Sequence, residues 1–334
     1  MRFIVPHLFP SPRLLETAAH DLRLPALETL LARGTLHDVP AEGLEAALCE
    51  ALGIARQQDW PIAPLTLAAE NVAPGEAWWL RADPVHLRVM RDRIVLAGSD
   101  ALDVTREEAD ALATSIRRHF GDALAPQVHH PQRWYLRFDT PPDLRTTPLS
   151  VAVGRDIDPL LPQGRDAMAF RAQLNELQML LHDHPVNLAR EARGMPAVNS
   201  LWLWGGGRAP SPPHNPPPVH AQHDASRMLA ASCGAPTPTL PDRLTAQLLG
   251  TAGVVVLDAL TDSGQAGDAW GWREAMRMLE KDWFAPLQRL LRQAGPQGAH
   301  LFDPDHGKVL HLAARDAWRV WRRPRSLLDQ LDKP

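Results

Sequence analysis

The stretch that most restricts how this chain can fold is GVVVLDAL, residues Gly253 to Leu260. A nearly continuous apolar run of this length offers no polar face to water. As a strand it needs cover on both sides, the condition met inside a parallel sheet flanked by helices. The helix-like DRLTAQLLG comes just before it, so this part of the chain reads as α/β.

The other patterns agree. RFIVP reads as a short strand, and RLLETAAHDLRLPALETLLARG as helix, proline break and helix ended by Gly34. AEGLEAALCEALGI has a third helical period. EAWWLRADPVHLRVMRDRIVLAG alternates apolar and polar residues on both sides of RDR, which predicts a hairpin. Thr105 and Glu108 form a capping box that opens a helix closed by Gly121, and RWYLRF is another alternating strand. Ala167, Phe170, Leu174, Leu177 and Leu181 recur at three and four residues and define a buried helical stripe, beside the polar stripe Arg171, Asn175, Gln178 and His182. WGWREAMRMLEKDWFAPLQRLL predicts a long helix bent near Pro286, and AHLFDPDHGKVLHL a hairpin turning at DHGK. Helices and strands interleave without a repeat, so the class is α/β, or α/β with an inserted α+β piece.

With 35 basic and 39 acidic residues, net charge gives no reason to expect a polyanion as partner. Cys49 and Cys233 match no metal or redox spacing and predict free, buried thiols in a reducing compartment. Prolines interrupt the N-terminal apolar residues after RFIV, and no apolar run approaches the length of a membrane span. The expectation is a cytoplasmic protein with no membrane partner.

NSLWLWGGG, residues 199 to 207, raises the question of a phosphate loop. Such loops work because a helix starts at once after the glycines and points its positive end at the anion. Here RAPSPP follows, so the segment reads instead as a buried strand, with glycines allowing positive φ or close backbone approach at its end. Proline density then predicts a loop of polyproline character from Gly205 to His223, in which His214, His220 and His223 have no common metal-ligand spacing.

The run HDHPVNLAREARGMPAVNSLWLWGGG carries a resemblance. Across essentially its full length the chain resembles the RpfE-type regulatory proteins. More remotely it resembles archaeal-type cofactor-independent phosphoglycerate mutases of the alkaline-phosphatase superfamily. His184, Pro185, Asn187, Arg190, Gly194, Asn199, Trp204, Gly205 and Gly207 match that mutase pattern, and LRADPVHLRVMRDRIVLAGSDALDVTREEADALATSIRRHFG is similar to the mutases' inserted domain. The resemblance implies a phosphatase-like α/β core from residues 1–76 and 195–334, with an inserted α+β domain at 77–194.

The resemblance also implies a serine activated by two metal ions held by Asp and His ligands, beginning with Asp-Gly after the first strand. This chain has Pro6-His7 there, Ser11 lies between two prolines, and Gln265 stands where a histidine belongs. Asp262 matches the later aspartate, while the Asp305-His306 pair stands in a tight turn with Gly307, where both are ordinary turn residues. The expected protein therefore has no catalytic residues, no metal and no cofactor, and acts in regulation by binding a phosphorylated small molecule or a protein partner; nucleic acid is not expected. Guanidinium groups grip phosphorylated acids bidentately, so the candidate ligand residues are Arg81, Arg190, Arg193 and Arg208, with His184, Asn187, Asn199, Trp204, Gly205 and Gly207. The alternatives are an active phosphotransferase or phosphatase using Asp262, Asp305, His306 and His7, and an interaction protein docking through the proline loop and the tail RDAWRVWRRPR. In that tail, Trp318 and Trp321 are expected to anchor a terminal helix while the arginines stay in water.

Overall fold

The apolar run becomes a fully covered strand. In the computed structural model, which describes residues 1–97, 102–293 and 298–331, Val254–Val256 form β9 and all three valines are buried. Each such side chain contributes about 1.5–3 kcal/mol on burial. β9 lies between β1 (Arg2–Ile4) and β8 (Val219–His220), parallel to both. On its other side β1 pairs in parallel with β10 (Ala299–Asp303). The hairpin predicted around DHGK then adds β11 (Lys308–Leu312) antiparallel to β10, and β2 (Thr35–Asp38) closes the edge. The strand order is β2-β11-β10-β1-β9-β8.

Phe3, Val255, Leu301 and Leu310 from this sheet join Leu27, Trp272 and Met276 in one core. The long helix predicted around Pro286 is three segments: Ala269–Leu279, a π-helical turn Glu280–Phe284, and Ala285–Gln293. Proline has no N–H to give the preceding turn, and the wider turn just before it accommodates that loss. The turn also aims Glu280, whose carboxylate accepts from Ala26 and Leu27 N–H at 2.6 and 3.1 Å and so caps the helix Pro25–Arg33. Cys49 and Cys233 are free and buried.

Met1–Leu52 with His214–Pro334 form one compact unit, and Gly53–Pro213 form a second. In the second, the expected hairpin is β3 (Trp78–Val89) with β4 (Ile94–Ala97), and β3 also pairs with β6 (Arg133–Phe138) and β7 (Ser200–Gly207), all antiparallel; β5 (Gln127–His130) lies outside β6. Residues 53–76 and 195–213 thus lie with the second unit, whereas the sequence reading placed them with the first. The reason is that β7 pairs with β3, and Ala63 and Leu67 of the helix Ile62–Ala69 pack on Trp79 and Tyr135. The helix Arg106–Phe120 opens with the predicted box: Glu108 N–H donates to Thr105 Oγ1 and Thr105 N–H to Glu108 Oε2, both at 3.2 Å. The predicted stripe from Ala167 to Leu181 is buried on the helix Ala167–His182.

Two expectations give way. The segment from Gly205 to His223 is not all loop: the strand carries on through Gly207, Val219–His220 form an edge strand, and His223 Nδ1 caps the helix Asp224–Ser232. The tail tryptophans do not anchor a helix either. Ala314–Trp318 is a short 3-10 helix, and Trp318 and Trp321 are 65% and 73% exposed. Arginines fix the segment instead: Arg33 donates to the Ala317 carbonyl at 2.8 Å, Arg319 to that of Arg33 at 3.0 Å, and Arg322 to that of Gly34 at 3.3 Å. Among the described residues, no helix is long and apolar enough to cross a membrane.

Candidate functional site

Because β1 and β10 run in parallel, both deliver the residues after them to the same edge of the first unit's sheet. Open α/β sheets bind their ligands at such carboxyl edges. Here β1 leads to His7 and β10 to Asp303, Asp305 and His306.

Asp303 is fully buried and organises the turn. Its Oδ2 accepts from Phe9 N–H at 2.7 Å, tying the turn to the segment after β1, and its Oδ1 accepts from Asp305 and His306 N–H at 3.0 and 3.2 Å. His306 Nδ1 lies 3.2 Å from Asp303 Oδ2. His7 has φ of 57°, a left-handed conformation uncommon outside glycine, and its Nε2 stands 3.8 Å from Asp305 Oδ2. The His7 and His306 rings meet edge to face at 5.3 Å, and the Trp272 indole N–H donates to the His7 carbonyl at 2.9 Å.

The helix Thr261–Ala266 lies directly over this imidazole. A Cβ at Gly264 would stand 2.4 Å from His7 Cγ, so only glycine fits there. After β9, at the same edge, burial raises the Asp258 pKa, with His223 opposing and Asp262 adding to the rise. Asp258 Oδ2 is buried and has no hydrogen-bond partner among the described residues. Asp262 itself is exposed.

The ligand residues expected from the sequence lie in the second unit and form two separate groups. In the first, Arg81 makes a bidentate pair with Asp83, with Nη2 2.8 Å from both oxygens, and its guanidinium lies 5.3 and 5.1 Å from the centres of the Tyr135 and Trp204 rings. Trp204 Nε1 donates to Asp83 at 2.7 Å, and Trp134 N–H does so at 3.3 Å. Burial raises the Asp83 pKa against the pull of Arg81 and the indole N–H. Gly205 and Gly207 sit against the helix start: added Cβ atoms would lie 2.8 Å from Ile62 Cβ and 2.7 Å from Pro61 Cβ. Arg208 donates to the Glu76 carbonyl, and its N–H donates to Gln57 Oε1 at 2.9 Å.

The second group surrounds Glu108. Arg190, fully buried, and Arg193 each approach its carboxylate at 2.5 Å, and Arg190 also donates to the carbonyls of Pro196 and Leu102. Burial opposes ionisation of Glu108, but Arg193, the Thr105 N–H and Arg190 together hold its pKa below the ordinary range. His184 Nδ1 accepts from Val186 N–H at 3.2 Å, which leaves Nε2–H to donate to Ser115 Oγ at 2.9 Å; burial lowers its pKa. Asn187 bridges the Leu181 and Val198 carbonyls at 2.8 Å each, and Asn199 clamps the backbone of Leu87. Every one of these side chains holds its own fold together. Asp83 escaped the sequence reading, although Arg81 and Asp83, two apart on one strand, share a face and signal a buried pair.

A cleft of about 360 Å³ in the first unit is lined by Arg2, His300 and His311 beside the helix Gly43–Ala51. The His300 and His311 rings lie 4.4 Å apart, and His37 meets His311 at 5.0 Å. Burial first, then neighbouring positive groups, lowers the pKa of His300 and His311. Folded pKa values below the unfolded ones give stability that is complete above about pH 6.5 and is lost as pH falls through the lowered values. The melting temperature of wild type is therefore expected to fall more steeply than that of His300→Gln between about pH 7.5 and 5.5. Parallel pH profiles in calorimetry would contradict this.

The two-metal centre implied by the resemblance does not fit the residues present. Pro6-His7 stands where the resemblance places its Asp-Gly pair, Gln265 offers an amide, and both Asp303 oxygens are engaged by N–H donors. Among the described residues, no group of three or more His, Cys, Asp and Glu is placed to hold a metal ion.

No family model matches the chain. It is 27% identical over 207 residues to the 2,3-bisphosphoglycerate-independent phosphoglycerate mutase of Methanosarcina mazei, covering 58% of this chain and 51% of that protein. With the enzyme of the same description from Methanothrix thermoacetophila it shares 33% identity over 111 residues, 33% of this chain and 28% of the relative. The matches thus span about half or less of the relatives' length. Among solved structures, a Pyrococcus horikoshii protein superposes with a TM-score of 0.45 at 14% identity, covering 93% of this chain and 86% of that one. The cofactor-independent phosphoglycerate mutase of Thermoplasma acidophilum gives 0.40 at 15% identity, covering 93% and 88%. By sequence, the chain is a remote homologue of the archaeal cofactor-independent phosphoglycerate mutases.

Proposed function

We propose that this chain is a catalytically silent relative of the phosphoglycerate mutases with a regulatory role, in keeping with its likeness to RpfE-type proteins. The observation that carries this reading is the carboxyl edge of β1 and β10. There an imidazole, His7, faces Asp305, and Asp303 is saturated by backbone donors, so the edge is built as a hydrogen-bonded plug. A divalent-cation centre needs carboxylate oxygens turned toward one point, and here those of Asp303 are turned toward N–H groups and the His306 imidazole while Asp305 faces His7. Arg81, Arg190 and Arg193 are met by Asp83 and Glu108, and Arg208 by the Glu76 carbonyl, which favours a protein as the regulatory partner over a phosphorylated acid.

The test is metal analysis of protein equilibrated with manganese, together with assays of phosphoglycerate interconversion and aryl phosphate hydrolysis. Wild type and Asp305→Ala are expected to carry equal, substoichiometric metal and to show equal background turnover. Stoichiometric manganese, with turnover abolished in Asp305→Ala, would replace this reading with that of a working metal-dependent phosphotransferase.

A further inference from the structure

The exposed tail of the first unit has chemistry that the fold does not use. Trp318, Val320 and Trp321 are 65%, 66% and 73% exposed within four residues. Scattered apolar side chains are normal on a surface, but two tryptophans and a valine in one short segment form a patch that water disfavours. The segment Arg315 to Arg325 also holds five arginines and one aspartate, on a chain whose net charge is −4. That single acid, Asp316, is buried, accepts from Ala313 N–H at 2.9 Å and pairs with Arg319 at 3.1 Å. Locally the patch is strongly positive.

The segment is also held in place. Its backbone and arginines are tied to Arg33 and Gly34 by the three bonds given above, so less chain entropy is lost on docking than with a free tail. Tryptophan and arginine are the residues that dominate binding energy at protein interfaces, where an aromatic anchor fills a pocket and a guanidinium pairs with a carboxylate.

We propose that Trp318, Val320 and Trp321, framed by Arg315, Arg322 and Arg323, form a docking surface for an acidic peptide segment of a partner protein, one in which Asp or Glu alternates with large apolar residues. A short acidic segment matches a patch of this size. An extended polyanion would meet the field of a net negative chain, which opposes nucleic acid and an anionic membrane. The proposal deepens the reading of the chain as a binding protein and rests on it only in taking the partner to be a protein. Metal content and turnover, which test that reading, do not enter the experiment.

The experiment selects random displayed peptides on full-length wild type, then measures affinity of the selected peptides for wild type, Trp318→Ala/Trp321→Ala and Arg315→Glu/Arg323→Glu. The substituted side chains are exposed, and both variants are expected to melt with wild type, which circular dichroism checks. Enriched peptides should combine acidic with aromatic or aliphatic residues, and each variant should bind them at least about tenfold more weakly. Affinity should also fall as salt is raised. Selected peptides without acidic enrichment, or binding that both folded variants retain, would overturn the proposal. So would tail-dependent binding of oligouridylate or of phosphatidylglycerol vesicles in place of peptide.

Discussion

Asp83→Ala is expected to destabilise the second unit by about 3–5 kcal/mol, because it leaves the buried Arg81 guanidinium without its counter-ion. Asp83 also accepts from Trp204 Nε1 and Trp134 N–H, so one substitution orphans donors on three strands, β3, β6 and β7. With two compact units, a single melting curve would blur the effect, so it is best read as faster native-state hydrogen exchange in those strands. Replacing both members of the pair, as Arg81→Met/Asp83→Leu, removes the charge as well as its partner and should recover most of the loss. Protection unchanged in Asp83→Ala would show that the pair is not what holds these strands.

Gly205→Ala should cost about 2–4 kcal/mol, from two causes acting together. Its φ of 67° is left-handed, and an added Cβ would stand 2.8 Å from Ile62 Cβ on the helix packed against β7. Gly194 gives the comparison, since its φ is 72° but nothing lies within 4 Å of an added Cβ. Gly194→Ala should show the backbone strain alone, so the difference between the two variants in denaturant unfolding isolates close packing. If Gly205→Ala cost no more than Gly194→Ala, the glycine run would need an explanation other than helix-to-strand contact.

Those glycines show what the sequence carried and what it did not. Their being a strand end and not a phosphate loop was legible, because the following prolines cannot start a helix. What they make room for was not, since Pro61 and Ile62 lie some 140 residues earlier, as the numbering gives. The valine run, the Thr105 box and the Ala167 stripe were readable because their signals are local and periodic. β8 was missed because two residues carry no period, and the exposure of Trp318 and Trp321 because a spacing of three suggested a helix face where the chain takes a 3-10 turn. Three of the arginines singled out as anion binders, Arg81, Arg190 and Arg193, do meet anions, but the anions are Asp83 and Glu108 of the same chain. Glu108 was recognised as a cap, yet nothing in the linear order joins it to Arg190, some 80 residues on.

The placing of β1 at the centre of its sheet sets an order of events during synthesis. Arg2 stands in register with Val254 on one side and His300 on the other, so the opening strand has no sheet to enter until most of the polypeptide has left the ribosome. The continuous stretch Gly53–Pro213 has no such wait. It can condense while the first fifty or so residues wait for their partners, and the nascent Phe3 and Ile4 are then among the apolar side chains left without their cover.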